Sequence, residues 1–136
     1  MIDSLPASLP DSARRVALML KERGHPHDVV MLPETGKTSA EAAAGLGCAV
    51  AQIAKSILFR RKEDDAPVLV IASGANRVDE AKVAARVGAL ARADAKFVRE
   101  KTGYAIGGVC PIGHAVTPVT LIDEDLLALD TQTKKT

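Results

Sequence analysis

Lys55 lies in "QIAKSILFRR", where Ile53, Lys55, Ile57 and Phe59 alternate with Ala54, Ser56, Leu58 and Arg60. A period of two is a strand pattern. Both sets are largely apolar, so the strand is expected to be central, with a lysine sharing a face with two large apolar side chains. From a strand edge such a lysine snorkels its ammonium into water. Held among apolar flanks it is instead a positioned point charge, suited to a phosphate or a carboxylate.

A second stretch, "GGVCPIGHAVTP" at 107–118, gathers Gly107, Gly108, Gly113, Pro111, Pro118, Cys110 and His114. Glycines adopt backbone conformations closed to other residues and let a ligand come within reach of backbone N–H groups. Pro111 stiffens the loop. A rigid set of N–H donors suits a carbonyl or a developing oxyanion. A plain turn between two strands has the same composition, and spacing alone does not separate the two readings. His114 could donate to a substrate or act as a base, or serve the structure. Cys110 has only His114 nearby to lower its pKa and reads as a bystander. Asp123 ends "VTLID", where it either faces a pocket or caps the "EDLLAL" that follows. His25 and His27 flank Pro26, but no third ligand suggests itself, so no metal is expected. The chain has no P-loop, dinucleotide fingerprint or serine elbow.

These residues need elements to hold them. Pro10, Asp11 and Ser12 open a helix whose apolar positions are Ala13, Val16, Ala17 and Leu20, and Gly24 stops it. Residues 27–32 read as a short strand and "PETGKTS" as a loop. Thr38 with Glu41 forms a capping box for an alanine-rich helix ending at Gly47. After the Lys55 strand, "KEDDAP" is a turn and "PVLVIA" the hairpin partner. "SGANRVDEAKVAARVG" is a loop and then a helix, capped by Asp79 and stopped at Gly88. "ADAKFVREKTG" is another helix, ending at Gly103. "YAIGGV" reads as a strand entering the glycine loop, and "VTLIDEDLLALD" as a strand running into a helical turn. Helices alternate with strands, but the hairpin is antiparallel. The pattern predicts an α+β domain with a mixed sheet.

Composition narrows the function. With 136 residues, 47% hydrophobic and 26% charged, the chain suits one globular domain over 1–130 and a frayed polar tail over 131–136. Phe59, Phe97 and Tyr104 are its only aromatics, so it offers few stacking platforms for single-stranded nucleic acid. The net charge is +1, and Lys134 and Lys135 carry +2 in the tail, leaving −1 on residues 1–133. A near-neutral body argues against a broad nucleic-acid-coating surface, and no DNA partner is expected, but it permits a small basic pocket that grips one phosphate. Cys48 and Cys110 match no zinc or redox spacing, as expected of free thiols in a reducing cytoplasm. Neither a signal peptide nor a membrane-spanning stretch is visible.

Taken in order, "QIAKSILF", "SGANRVDEAKVAA", "TGYAIGGVCPIGH" and "VTLIDEDLL" resemble the YbaK/EbsC family of aminoacyl-tRNA deacylases, relatives of the editing domain inserted in bacterial prolyl-tRNA synthetases. The resemblance runs over residues 12–130. It implies a compact mixed sheet, partly barrel-like, flanked by helices. It also implies hydrolysis of the ester joining a wrong amino acid to a tRNA, commonly tRNA-Pro. By matching position, Lys55 would hold the phosphate or ribose at the tRNA 3′ end. Gly107, Gly108, Pro111, Ile112 and Gly113 would bind the aminoacyl carbonyl and ester through the backbone, and Asp123 would line the same site. Asn76 and Arg77 fall in a matching segment, and His114 matches the branch that carries "GH" here.

An aminoacyl ester is already activated, so its hydrolysis needs little beyond a placed water and a stabilised oxyanion. No cofactor is expected. The implied partners are the 3′ end of an aminoacyl-tRNA and prolyl-tRNA synthetase as a delivery partner, while monomer and dimer both remain open. Two departures stand out: family members often continue well past Asp130, and "LPETGKTS" lacks the aromatics that some place near the aminoacyl pocket. Alanine, cysteine, serine and threonine are therefore equal candidates for the edited amino acid. The alternative is a non-catalytic module that binds a tRNA 3′ end or a nucleotide beside a synthetase. A carboxylate-binding role for Lys55 is a third.

Overall fold

The computed structural model describes residues 11–26, 29 and 38–128. The strand expected at 27–32 and the tail at 131–136 lie outside the described residues, apart from position 29. The chain divides into two compact units, 1–31 and 32–136.

The first unit contains α1 (Asp11–Glu22), with Asp11 in its first turn and Lys21 in its last, both signs complementing the helix dipole. It stops where the sequence places glycine. Gly24 is left-handed at φ 73°, its N–H donates to Lys21 O, and the His25 N–H donates to Leu20 O. That pair of bonds is a Schellman cap.

In the second unit, α2 (Ser39–Leu46) begins on Thr38, whose Oγ1 accepts the Glu41 N–H at 3.1 Å, and ends on left-handed Gly47. A 3-10 turn (Val50–Gln52) leads into β1 (Ala54–Arg61). The hairpin then delivers β2 (Pro67–Ser73), antiparallel and in register from Ala54↔Ser73 to Arg60↔Pro67. The turn between them is held by acid–base pairs, Arg60 with Asp65 at 2.7 Å and Arg61 with Asp64 at 2.8 Å. Helix α3 (Glu80–Val87) is capped by Asp79 and stopped at Gly88 as expected. Helix α4 (Ala95–Thr102) is capped by Asp94 and ends on Gly103. After it come β4 (Val119–Ile122) and the short α5 (Glu124–Leu127).

The α+β expectation holds. The sheet order is β3-β1-β2-β4, with β2 and β4 parallel and the other pairs antiparallel. One strand, β3 (Leu90–Arg92), was not anticipated. Three residues directly after a glycine stop are too short to show a period. Conversely, "YAIGGV" is not a strand. The Gly108 N–H donates to Ala105 O at 2.9 Å, closing a turn over Ile106 and Gly107. Gly107 has φ 83°, the left-handed value that the third position of a type II turn requires.

Register decides which side chains share a face. Opposed residues point the same way, so Lys55, Ile57 and Phe59 lie with Ala72, Val70 and Val68, and with Leu121 and Val119 beyond them. This is the face that α3 covers: Val68, Val70 and Val83 form the buried centre, with Phe59, Val87, Leu90, Val119 and Leu121 packed around it. The shared face read for Lys55, Ile57 and Phe59 is therefore real, and Lys55 sits at its end.

Candidate active site at the end of the sheet

Lys55 is half-buried on β1, opposite Ala72 of β2. On the other side of Ala72 runs β4, where the Asp123 N–H donates to Ile71 O at 2.8 Å, one step beyond the Ile71↔Ile122 pair. Lys55, Ala72 and Asp123 thus form a row across three adjacent strands. At about 4.8 Å per strand, the backbones of Lys55 and Asp123 are about 10 Å apart. Ala72 between them is buried and small, which leaves the space above it unfilled by its own side chain. Among the described residues no hydrogen bond or ion pair holds the Lys55 side chain.

Asp123 is held firmly. Its Oδ1 accepts the Asp125 N–H at 2.9 Å, making it the N-cap of α5. Its Oδ2 accepts the Ser73 N–H at 3.0 Å and the Asn76 side-chain amide at 2.9 Å. These donors, Asn76 first and then the two backbone N–H groups, hold the carboxyl below its ordinary value. Asn76 also donates to Asp125 Oδ2 at 2.7 Å. Asp123 therefore caps α5, as the simpler of its two expected roles required, and also joins the ends of β2, β4 and α5. Arg77 is exposed beside Asn76.

The glycine loop is anchored elsewhere, on the end of α4. Buried Thr102 donates through Oγ1 to Val98 O at 2.7 Å and accepts the Tyr104 N–H at 2.9 Å. Tyr104, also buried, donates its hydroxyl to Ile112 O at 2.8 Å. The Nε2 of His114 bonds to Cys110 O, and its ring meets Tyr104 edge-on at 5.9 Å. Val116 N–H donates to Lys101 O at 2.8 Å and closes the loop's exit. Gly107 and Gly113 both have left-handed φ, 83° and 74°.

The outward side of this brace matters chemically. The backbone N–H groups of Gly107, Val109, Cys110 and Ile112 donate to no group among the described residues. Pro111, with no N–H, is exposed in their midst. His114 reaches the loop's own carbonyl through Nε2, while its buried Nδ1 has no hydrogen-bond partner among the described residues. Cys48 and Cys110 are free thiols. His25 belongs to the helix cap of the first unit, and His27 lies outside the described residues. Among the described residues, no three His, Cys, Asp or Glu side chains gather as metal ligands, and no helix is long and apolar enough to cross a membrane.

Sequence reasoning missed the bracing roles of Tyr104 and Thr102 and the tie from Asn76 to Asp125. Tyr104 did carry a signal: it is one of three aromatics in the chain and stands three positions before Gly107. An open groove of about 630 Å³ also runs from Ala72, Asn76 and Asp123 along Arg77 and α3.

Comparison with known proteins identifies the family and the fold. Residues 33–132 match the family described as Aminoacyl-tRNA editing domain. The Bacillus subtilis (strain 168) uncharacterized protein YwhH is 36% identical over 106 residues, which span 77% of this chain and 67% of that protein. A crystal structure described, provisionally, as a trans-editing enzyme for prolyl tRNA synthetase superposes with a TM-score of 0.82 at 44% identity, covering 90% of this chain and 78% of the other. A chain solved for epitope grafting onto scaffold proteins gives 0.81 at 41% identity, covering 89% and 78%. The chain, with its strand lysine, braced glycine loop and strand-end aspartate, belongs to the aminoacyl-tRNA editing domain family.

Proposed function

We propose that the protein is a trans-editing hydrolase that deacylates tRNA-Pro carrying a small noncognate amino acid: alanine, cysteine, serine or threonine. The observation that carries the reading is the row of Lys55, Ala72 and Asp123, together with a braced loop in which the N–H groups of Gly107, Val109, Cys110 and Ile112 have no partner among the described residues. Lys55 holds the terminal phosphate or ribose. The N–H groups of Gly107, Val109, Cys110 and Ile112 receive the aminoacyl carbonyl oxygen, with glycine at 108 letting the ester approach. Water adds to the carbonyl carbon, and the electron pair moves onto the oxygen facing those donors. The intermediate collapses, the bond to the ribose oxygen breaks, and that oxygen leaves with a proton. His114 and Asp123 act by holding parts in place: His114 fixes the loop, and Asp123 fixes Asn76 and the end of β2. Selectivity follows as a size filter that turns away larger amino acids.

The similarity to a structure described as acting for prolyl-tRNA synthetase supports the choice of tRNA-Pro and of that synthetase as delivery partner. The test is incubation with tRNA-Pro charged separately with alanine, cysteine, serine, threonine and proline, with and without the synthetase. Loss of one or two noncognate species, with prolyl-tRNA spared, supports the reading. A folded protein that leaves every species intact, where a known deacylase clears them, refutes it.

One observation favours a second reading, a non-catalytic module for the tRNA 3′ end. Both oxygens of Asp123 already accept hydrogen bonds, and the unpartnered Nδ1 of His114 is buried, so neither group is presented to solvent as a base. That reading predicts binding of the acceptor end with no turnover.

A further inference from the structure

The groove beside the Lys55 row has two walls of opposite sign. On one side are Arg77 and, from α3, Lys82 and Arg86. On the other are Asp123, Glu124 and Asp125 at the start of α5, while Asp79, the cap of α3, lies with the cations. Lys82 and Arg86 are four residues apart, so they stand on one helix face about 6 Å apart along the axis. Both are exposed, while Val83 of the same helix is buried in the core and the Arg61 guanidinium donates to Val87 O in its last turn, so neither cation is needed to hold the helix.

The cations of this wall stand apart from others in the unit. Arg60 and Arg61 are spent on the hairpin turn, and Lys96 pairs with Glu100. Arg77, Lys82 and Arg86 make no side-chain hydrogen bond or ion pair among the described residues. The acids are partly occupied: on α3 itself Asp79 accepts the Lys82 N–H, and opposite, Asp123 is the clasp and Asp125 accepts from Asn76. A polyanion entering the groove is drawn to the α3 side and repelled from α5, which fixes its path toward Ala72.

We infer that Arg77, Lys82 and Arg86 form the phosphate-contacting wall for the acceptor strand of the RNA whose 3′ end reaches the Lys55 row. The inference rests on the proposed RNA substrate and adds the face of α3 to it. Contacts to phosphates position a strand without reading its sequence. Three cations opposite an acidic wall give weak binding with a shallow salt dependence, a slope of about −2 at about −0.7 per phosphate on a single strand.

The test uses an uncharged RNA hairpin, an acceptor stem with a single-stranded CCA end, and reads its dissociation constant against salt by fluorescence anisotropy. Wild type is compared with the double variant Lys82→Glu, Arg86→Glu, with the milder Lys82→Gln, Arg86→Gln, and with Lys62→Glu on the hairpin turn, all checked for folding by circular dichroism. The expected result is binding weakened about tenfold or more in the Glu pair, a smaller loss in the Gln pair with the salt slope shallower by about 1.4, and no change in Lys62→Glu. Equal affinities for wild type and both α3 pairs, equal losses in all three variants, or no binding by wild type at low salt would overturn the inference. The probe carries no amino acid, so wall-dependent binding stands even where deacylation fails, and deacylation without wall-dependent binding sinks this inference alone.

Discussion

The end of the sheet and the glycine loop both serve the same proposed chemistry, but they are built by different means. Lys55 and Asp123 owe their positions to strand register: a period of two in β1, a matching β2, and a parallel β4 that ends at the aspartate. The loop owes its shape to single bonds from side chains to carbonyls, Tyr104 to Ile112 and His114 to Cys110, on a base set by Thr102. A register involves many bonds at once and slips only as a whole. A braced loop can be loosened one bond at a time. Damage at the sheet end should therefore remove either a contact to substrate or the fold, while damage to the loop should grade.

The largest effect that separates contact from fold is expected at Gly108. A Cβ there would meet only Ala105 O, at an ordinary 3.6 Å, so Gly108→Val should fold normally. Its side chain would stand where the ester approaches, and turnover should fall about 100-fold, the scale for loss of an oxyanion donor. Normal turnover in a folded Gly108→Val protein would take the loop out of the site.

Gly74, just past β2, should show the reverse. A Cβ there would lie 2.6 Å from Val50 O and 2.7 Å from Ser39 Cβ, where the 3-10 turn and α2 close on the strand end. Gly74→Ala should cost about 1–3 kcal/mol in denaturant unfolding, as overpacking does, while the remaining folded protein keeps its rate per molecule. Unchanged stability would mean that this packing yields more easily than the contacts suggest.

Tyr104→Phe removes one brace and leaves Ile112 O unpaired. A loss of about 1 kcal/mol is expected, with a modest fall in kcat and little change in KM for RNA. A change confined to KM would move the loop's role to binding.

The smallest effect belongs to the acid limb. Asp64 is lowered to about 2, mainly by its hydrogen bond from Arg61, and Asp123 is lowered by its three donors. Because both folded values lie below the unfolded one, their stabilisation is present above about pH 4. For Asp64 it is lost as pH falls through about 2. Acid unfolding of Asp64→Asn should be slightly flatter between about pH 4 and 2. A wild-type curve would mean that the pair, exposed to solvent, contributes nothing measurable.

The same contrast explains what the sequence could reveal. The hairpin, the caps at Thr38 and Asp79, and the stops at Gly24, Gly47, Gly88 and Gly103 follow local rules and were legible. So was Lys55 on the core face, because alternation and register are one signal. The strand expected over 104–109 failed because apolar Tyr104 and Ile106, two residues apart, mimic the start of an alternation that Gly107 breaks by turning the chain. The Asn76–Asp123 bond spans 47 positions, and no pattern in a single chain announces a partner so distant. The pairing of Arg77 with Lys82 and Arg86 along one groove likewise became visible only when α3 was laid on the sheet.

The central claim is that Lys55 grips the 3′ end of a mischarged tRNA from the end of the sheet. It is tested most directly by the deacylation rate of Lys55→Ala beside wild type, on the noncognate aminoacyl-tRNA that wild type clears fastest. The account predicts a fall of about 100-fold or more, with unchanged thermal unfolding, since among the described residues no bond to Lys55 would be lost. A folded Lys55→Ala protein that deacylates at the wild-type rate would contradict it.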